Sequence, residues 1–217
     1  MTRPRGLFIT IDGPSGIGKS TTTRALAREL TRRGAPVHQT AEPSTCTIGT
    51  FTRNNADTIH GHALACLVAA DRYTHIDHEI QPHLRAGDTV LCDRYIASTL
   101  VLQQLDGVPL PFLLALNADI LKPDLAVILT APPALIAQRI ADRGIRHRFH
   151  LDPATPARET DLYDEAAQTL KSKGVKVLLA DTSRSSPPRI AARIADALPG
   201  TPLPSSPGPH PPPRQEP

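Results

Sequence analysis

One eight-residue run limits this chain more than any other: Gly13-Pro14-Ser15-Gly16-Ile17-Gly18-Lys19-Ser20, a match to G-x-x-x-x-G-K-[ST]. An apolar run, Leu7-Phe8-Ile9-Thr10-Ile11, leads into it, and a helical pattern follows from Lys19 to Arg33, where Gly34 stops it. Strand, glycine-rich turn and helix in that order make a nest for anions. Glycines let backbone N–H groups curl around phosphate oxygens, and the helix N-terminus adds partial positive charge. The lysine reaches the outer phosphates, and the serine after it can ligate a divalent cation. A chance glycine-rich turn would need neither the strand before it nor the helix after it. The expected ligand is ATP, held by Gly13, Ser15, Gly16, Ile17, Gly18, Lys19, Ser20 and Thr21.

The rest of the chain is consistent with that start. Residues 37–40, 89–92, 125–129 and 175–179 read as strands, and 63–83, 110–118, 134–141, 162–173 and 188–198 as helices. Strands alternating with helices need crossover connections. The expected fold is therefore α/β of the P-loop NTPase type: a five-stranded parallel sheet, helices on both faces, and a lid segment. Residues 1–198 are expected to form that domain. From Pro199 to Pro217 nine of nineteen residues are proline. Proline lacks an N–H, and little apolar surface accompanies it, so an unstructured tail is expected there.

Several classes drop out on composition. No apolar run approaches the ~20 residues of a membrane-spanning helix. The stretch Leu7–Ile11 is too short for a signal-peptide core, so a cytoplasmic protein without membrane contact is expected. A net charge of +3 over 217 residues does not call for a nucleic-acid partner. Cys46, Cys66 and Cys92 form neither a disulfide framework nor a zinc pattern, and they read as core or near-core fillers. The histidine pairs His60/His62 and His75/His78 have no third ligand at a recognisable spacing.

A carboxylate is expected at a second strand end, and Val90-Leu91-Cys92-Asp93 supplies one. There Asp93 and Ser20 would serve Mg²⁺. No guanine-reading NKxD and no DxxG after the Asp strand point to a GTPase. A small-molecule kinase needs an acceptor pocket and a mobile arginine-rich segment instead. Residues 138–148 carry Arg139, Arg143, Arg146 and Arg148, and guanidinium forks suit the charge of a moving phosphoryl group. Arg143 and Arg148 are preferred over Arg139 for that work.

With these residues in view, the chain from about Leu7 to Ile190 resembles the thymidylate kinase family, which moves the γ-phosphate of ATP to dTMP. The likeness rests on the loop, on Thr40-Ala41-Glu42-Pro43 with Ile48-Gly49 and Arg53, and on Ala70-Asp71-Arg72. It rests also on Asp93-Arg94-Tyr95-Ile96-Ala97-Ser98-Thr99 with Gln103, and on Asp142-Arg143-Gly144 through Arg148-Phe149. The resemblance implies that Arg53 and Arg94 hold the acceptor phosphate and that Arg72 and Thr99 bond a pyrimidine edge. It places Glu42, Pro43, Ser98 and Gln103 in the same acceptor site. Lys19, Asp93, Arg94, Arg143, Arg146 and Arg148 would carry the transfer, and Ala180-Asp181-Thr182 would lie near adenine. A homodimer is a further implication.

Four departures fall on the acceptor side. Ser15 stands where the family commonly has an acidic residue, and Ala41 where an arginine precedes Glu-Pro. Val68 replaces a stacking aromatic, and Leu102 replaces a tyrosine. A lost base-stacking ring removes roughly 1–3 kcal/mol. Three readings stay open: a thymidylate kinase acting on dTMP or a modified pyrimidine nucleotide, a kinase of a non-nucleotide metabolite, and a nucleotide-binding regulatory protein without transfer.

Overall fold

The computed structural model of the protein describes residues 4–143 and 154–198. Five strands form one sheet in the order β2-β3-β1-β4-β5, every pair parallel. They are β1 (Phe8–Asp12), β2 (Val37–Ala41), β3 (Thr89–Asp93), β4 (Leu125–Thr130) and β5 (Val177–Asp181). The helices between them are α1 (Lys19–Arg32), α2 (Thr47–Asn55), α3 (Gly61–His75), α4 (Gln81–Ala86), α5 (Ile96–Leu105) and α6 (Leu110–Leu116). After β4 come α7 (Pro133–Arg143), α8 (Thr155–Ser172) and α9 (Pro187–Asp196).

Alternation along the strands divides the core in two. Ile9, Ile11, Leu125, Val127 and Leu129 meet Leu26 and Leu30 of α1 and Ile190 and Ile194 of α9 on one face. Phe8, Val90, Cys92, Ala126 and Ile128 meet Leu100 of α5, Ile80 and Leu84, and Tyr163 and Leu170 of α8 on the other. A strand turns successive side chains to opposite sides, so central strands buried on both faces are apolar throughout. Each fully buried Leu or Ile contributes about 1.5–3 kcal/mol.

The expected helix over 63–83 is one helical rod with a fault in it. Residues Ile76–Ile80 form a π turn between α3 and α4. Pro82 sits in the first turn of α4. Its missing N–H and its ring displace the carbonyl four residues earlier, and a wider turn absorbs the displacement. Helices α2 and α5 were not expected from the sequence. Tyr95 and Ser98, at the start of α5, donate their N–H groups to Asp12 Oδ1 at 2.9 and 3.0 Å, and the Ser98 hydroxyl adds a third bond at 2.6 Å. A carboxylate at the end of β1 thus caps α5, a long-range contact that local spacing cannot reveal. Strand β5 begins two residues later than expected. Cys92 is buried as expected, Cys46 is half-buried, and Cys66 is exposed rather than a core filler. The tail from Pro199 lies outside the described residues.

Candidate active site

Strands β1 and β3 end side by side, with Ile11 opposite Asp93. The loop leaves β1 at Gly13, whose φ of 140° and approach to the Leu129 carbonyl leave no room for a side chain: a Cβ there would lie 2.7 Å from that oxygen. Gly18 at φ 101° turns the chain into α1 and aims the first N–H groups of the helix inward. Lys19 is buried, and its Nζ donates to the carbonyls of Gly13 and Pro14 at 2.7 and 2.8 Å. Burial and then the nearby Arg94 charge lower its pKa to about 7. Ser20 Oγ donates to Asp93 Oδ2 at 2.5 Å. Those two oxygens stand together at the mouth of the sheet, a donor set that fits a hard divalent cation. Ile17 is buried, and Ser20 and Thr21 face outward.

Beside this loop opens a cavity of about 390 Å³. It takes Ser15 from the loop, Glu42 and Pro43 from beyond β2, Thr52 and Arg53 from α2, and Arg72 from α3. Arg94, Ser98, Thr99 and Gln103 come from β3–α5. All eight residues that the resemblance assigned to the acceptor therefore line one space. Arg94 has a φ of 73°, a left-handed backbone that costs a bulky side chain roughly 1–2 kcal/mol. Its Nη1 is buried without a partner. Five buried side-chain polar atoms lack a partner among the described residues, and three of them, on Thr52, Arg94 and Gln103, belong to this cavity. Native structures pair such atoms, so a cluster of them in one concavity marks a ligand's place.

Arg72 is held most firmly. Its side chain is 1% exposed and that of Glu42 4%. Nε and Nη2 donate to Glu42 Oε2 at 2.9 and 2.6 Å, Nη2 also to Thr99 Oγ1 at 2.7 Å, and Nη1 to Asn117 Oδ1 at 2.7 Å. The guanidinium lies 4.9 Å over the Tyr95 ring. Burial alone would lower its pKa, but the Glu42 carboxylate outweighs that, and the net shift is upward. Behind Glu42, His75 Nδ1 lies 3.5 Å from Oε1, and its Nε2 lies 2.8 Å from Thr40 Oγ1. Glu42, His75 and Cys92 bring metal-type atoms within 4.8 Å of one another, a grouping that sequence spacing concealed. A divalent ion there would share its carboxylate with Arg72 and meet a thiol whose pKa burial raises well above normal.

Other expectations fare unevenly. Ser98 lines the cavity, but its hydroxyl is bound to Asp12. Arg53 turns back to the Pro43 carbonyl. Arg139 donates to Thr182 Oγ1 and to the Thr182 carbonyl, both at 3.2 Å, across from β5. Arg143 ends α7 and its side chain is not among the described ones, and Arg146, Arg148, His147 and His150 lie outside the described residues. Sequence reasoning missed Asp12, Thr52, Asn117 and Glu159. Glu159 is buried on α8, and its Oε1 accepts the Ser15 N–H at 3.1 Å. Burial raises its pKa, and Lys19 and Arg94 pull it back. Ser15 and Glu159 lie far apart in the chain, which left no local signal. The walls at Val68 and Leu102 are apolar, and among the described residues Tyr95 is the one aromatic lining the cavity.

A family model of thymidylate kinases matches residues 11–185. A probable thymidylate kinase of Caldivirga maquilingensis is 38% identical over 148 residues, 66% of this chain and 72% of that protein. A probable thymidylate kinase of Pyrobaculum aerophilum is 34% identical over 195 residues, covering 88% of this chain and 95% of that protein. A thymidylate kinase of Xanthomonas oryzae is 40% identical over 144 residues, 65% of this chain and 63% of that protein.

Proposed function

The chain belongs to the thymidylate kinase family and is a nucleotide kinase, and from that premise we propose how its two pockets work together. ATP binds in the loop, and a pyrimidine nucleoside monophosphate of the dTMP class fills the adjoining cavity and accepts the γ-phosphoryl group. The observation that carries this reading is the cluster of unpartnered polar atoms on Thr52, Arg94 and Gln103 in a cavity that opens beside the loop. Arg94 offers a free N–H to a phosphate. Arg72 and Gln103 offer a donor and a carbonyl to an edge that presents C=O beside N–H. Such an edge belongs to thymine and uracil rings.

Transfer needs positioning and charge stabilisation rather than a covalent enzyme intermediate. Lys19 leaves the Gly13 and Pro14 carbonyls and turns to the phosphates with the loop amides. Ser20 and Asp93 are the residues that would hold Mg²⁺, which when bound screens the charge on the phosphate oxygens. Arg94 aligns the acceptor phosphate at the end of β3. Arg143, Arg146 and Arg148 are assigned the developing charge from the sequence pattern. A cytoplasmic homodimer completes the reading. Among the described residues no helix is long and apolar enough to cross a membrane.

A second reading has its own support. Without rings at Val68 and Leu102 the apolar wall leaves space for a larger substituent on the base, so a modified pyrimidine nucleotide fits as well. ADP release measured with dTMP, dUMP, dCMP, CMP and UMP separates the readings. Fast turnover on dTMP supports the first, and slow turnover on all five supports the second. ATP binding with no acceptor-stimulated turnover on these or on base-modified nucleotides would overturn both and leave a kinase of a non-nucleotide metabolite or a regulatory protein.

A further inference from the structure

We propose that Asn117, which does not touch the acceptor, is a positioning residue that sets which group of the acceptor Arg72 can read. The inference rests on the acceptor assignment above and deepens it.

A guanidinium has five N–H donors. Four of those on Arg72 are engaged within the protein: Nε–H and one Nη2–H by Glu42, the other Nη2–H by Thr99, and one Nη1–H by Asn117. One Nη1–H remains, on an arginine that lines the cavity. Asn117 is not among the cavity-lining residues. It caps the C-terminus of α6 and faces a separate pocket of about 230 Å³ with Leu114, Ile120 and Val175. Its own orientation is fixed, because Nδ2 donates to the Leu113 carbonyl at 2.8 Å and so turns Oδ1 to Arg72. Tyr73, next to Arg72 in the chain, donates its hydroxyl to the Leu116 carbonyl at 3.2 Å and ties α6 to α3. Helix α6 thereby fixes the rear of the guanidinium while Glu42 and Thr99 fix its other bonds.

A single remaining donor in a fixed direction favours an acceptor with a carbonyl oxygen at that point and penalises one with an amino group. Without the Asn117 oxygen the Nη1 edge carries two unengaged N–H bonds on a side chain that is 1% exposed. The guanidinium then gains by tilting, and the fixed direction is lost.

The test compares dTMP with 5-methyl-dCMP, which present C=O beside N–H and an amino group beside an unprotonated ring nitrogen at the same edge, using steady-state kinetics with saturating ATP. For Asn117→Leu we expect the acceptor KM to rise about tenfold, the KM for ATP to hold within twofold, and the preference for dTMP to fall about tenfold. Asn117→Asp retains an oxygen toward Nη1 and is expected to keep the preference even where its melting temperature drops. If leucine prevents folding, Asn117→Ser, whose hydroxyl is too short to reach Arg72, takes its place with the same expectation. A leucine or serine variant with wild-type preference overturns the inference, whatever its stability. So does an aspartate variant as indiscriminate as the leucine one. A wild-type enzyme that phosphorylates neither nucleotide instead overturns the acceptor assignment, and this inference with it.

Discussion

The phosphate-binding loop and the cavity beside it satisfy their polar groups in opposite ways. The ATP cradle closes on itself: Lys19 donates to its own loop carbonyls, Ser20 to Asp93, and the Ser15 amide to Glu159. The acceptor cavity leaves polar atoms of Thr52, Arg94 and Gln103 unpaired. The cradle is built mostly from eight consecutive residues with carbonyls of their own to bind, so its groups find partners nearby. The cavity draws on the turn after β2, on α2 and α3, and on the chain from the end of β3 into α5, and its walls hold groups apart. A region that satisfies itself must exchange bonds to take a ligand. One that cannot do so gains bonds that it lacked.

The contrast can be broken at its strongest point first. Lys19→Ala removes the buried lysine of the cradle, and acceptor-dependent ADP release should fall by about 10³-fold or more. A near wild-type rate would mean that phosphates are held elsewhere. Next comes the buried pair on the acceptor side. Glu42→Ala leaves Arg72 without its carboxylate, and urea unfolding should show a loss of about 3–5 kcal/mol. A loss below about 1 kcal/mol, the range of an exposed pair, would show that the cavity is not rigidly held.

The cradle's exchange of bonds also carries a pH signature. Held among its own loop carbonyls, Lys19 has a pKa of about 7, and bound phosphates would raise it. Above that pH the free lysine is neutral and must take up a proton as ATP binds. Below it the lysine is already charged. ATP affinity should therefore be flat with respect to Lys19 below neutral pH and fall by up to about tenfold per unit above it. Calorimetry in buffers of different ionisation enthalpy would detect the proton uptake. Affinity that stays constant from pH 7 to 9 would place Lys19 outside the exchange.

The smallest effect sharpens the acceptor side. Val68→Phe restores a ring to the apolar wall, and dTMP should bind about fivefold tighter, since a stacked ring is worth roughly 1–3 kcal/mol and part of that is offset by crowding. Pyrimidines with bulky 5-substituents should lose binding in the same variant. The reverse order would mean that Val68 is not where the base lies.

What the sequence disclosed follows the same division. The loop, the five strands and Asp93 were legible because their pattern is local: a motif of fixed spacing and apolar runs of strand length. The acceptor residues were reached through resemblance rather than spacing. Asn117, Glu159 and Asp12 were missed because each acts on a residue more than forty positions away. Helix α2 escaped because its sequence, Thr47–Asn55, has only two buried residues and no apolar stripe. The π turn escaped because a proline usually ends a helix rather than widening it.

Asp12 stands one residue before the cradle and binds the start of α5, the helix that carries Thr99 and Gln103 into the cavity wall. One carboxylate thus ties the strand that leads into the loop to the helix that walls the cavity. Recutting the wall around Val68 or Leu102 would leave that tie unchanged. Substrate choice in such a scaffold can drift while the chemistry stays in register.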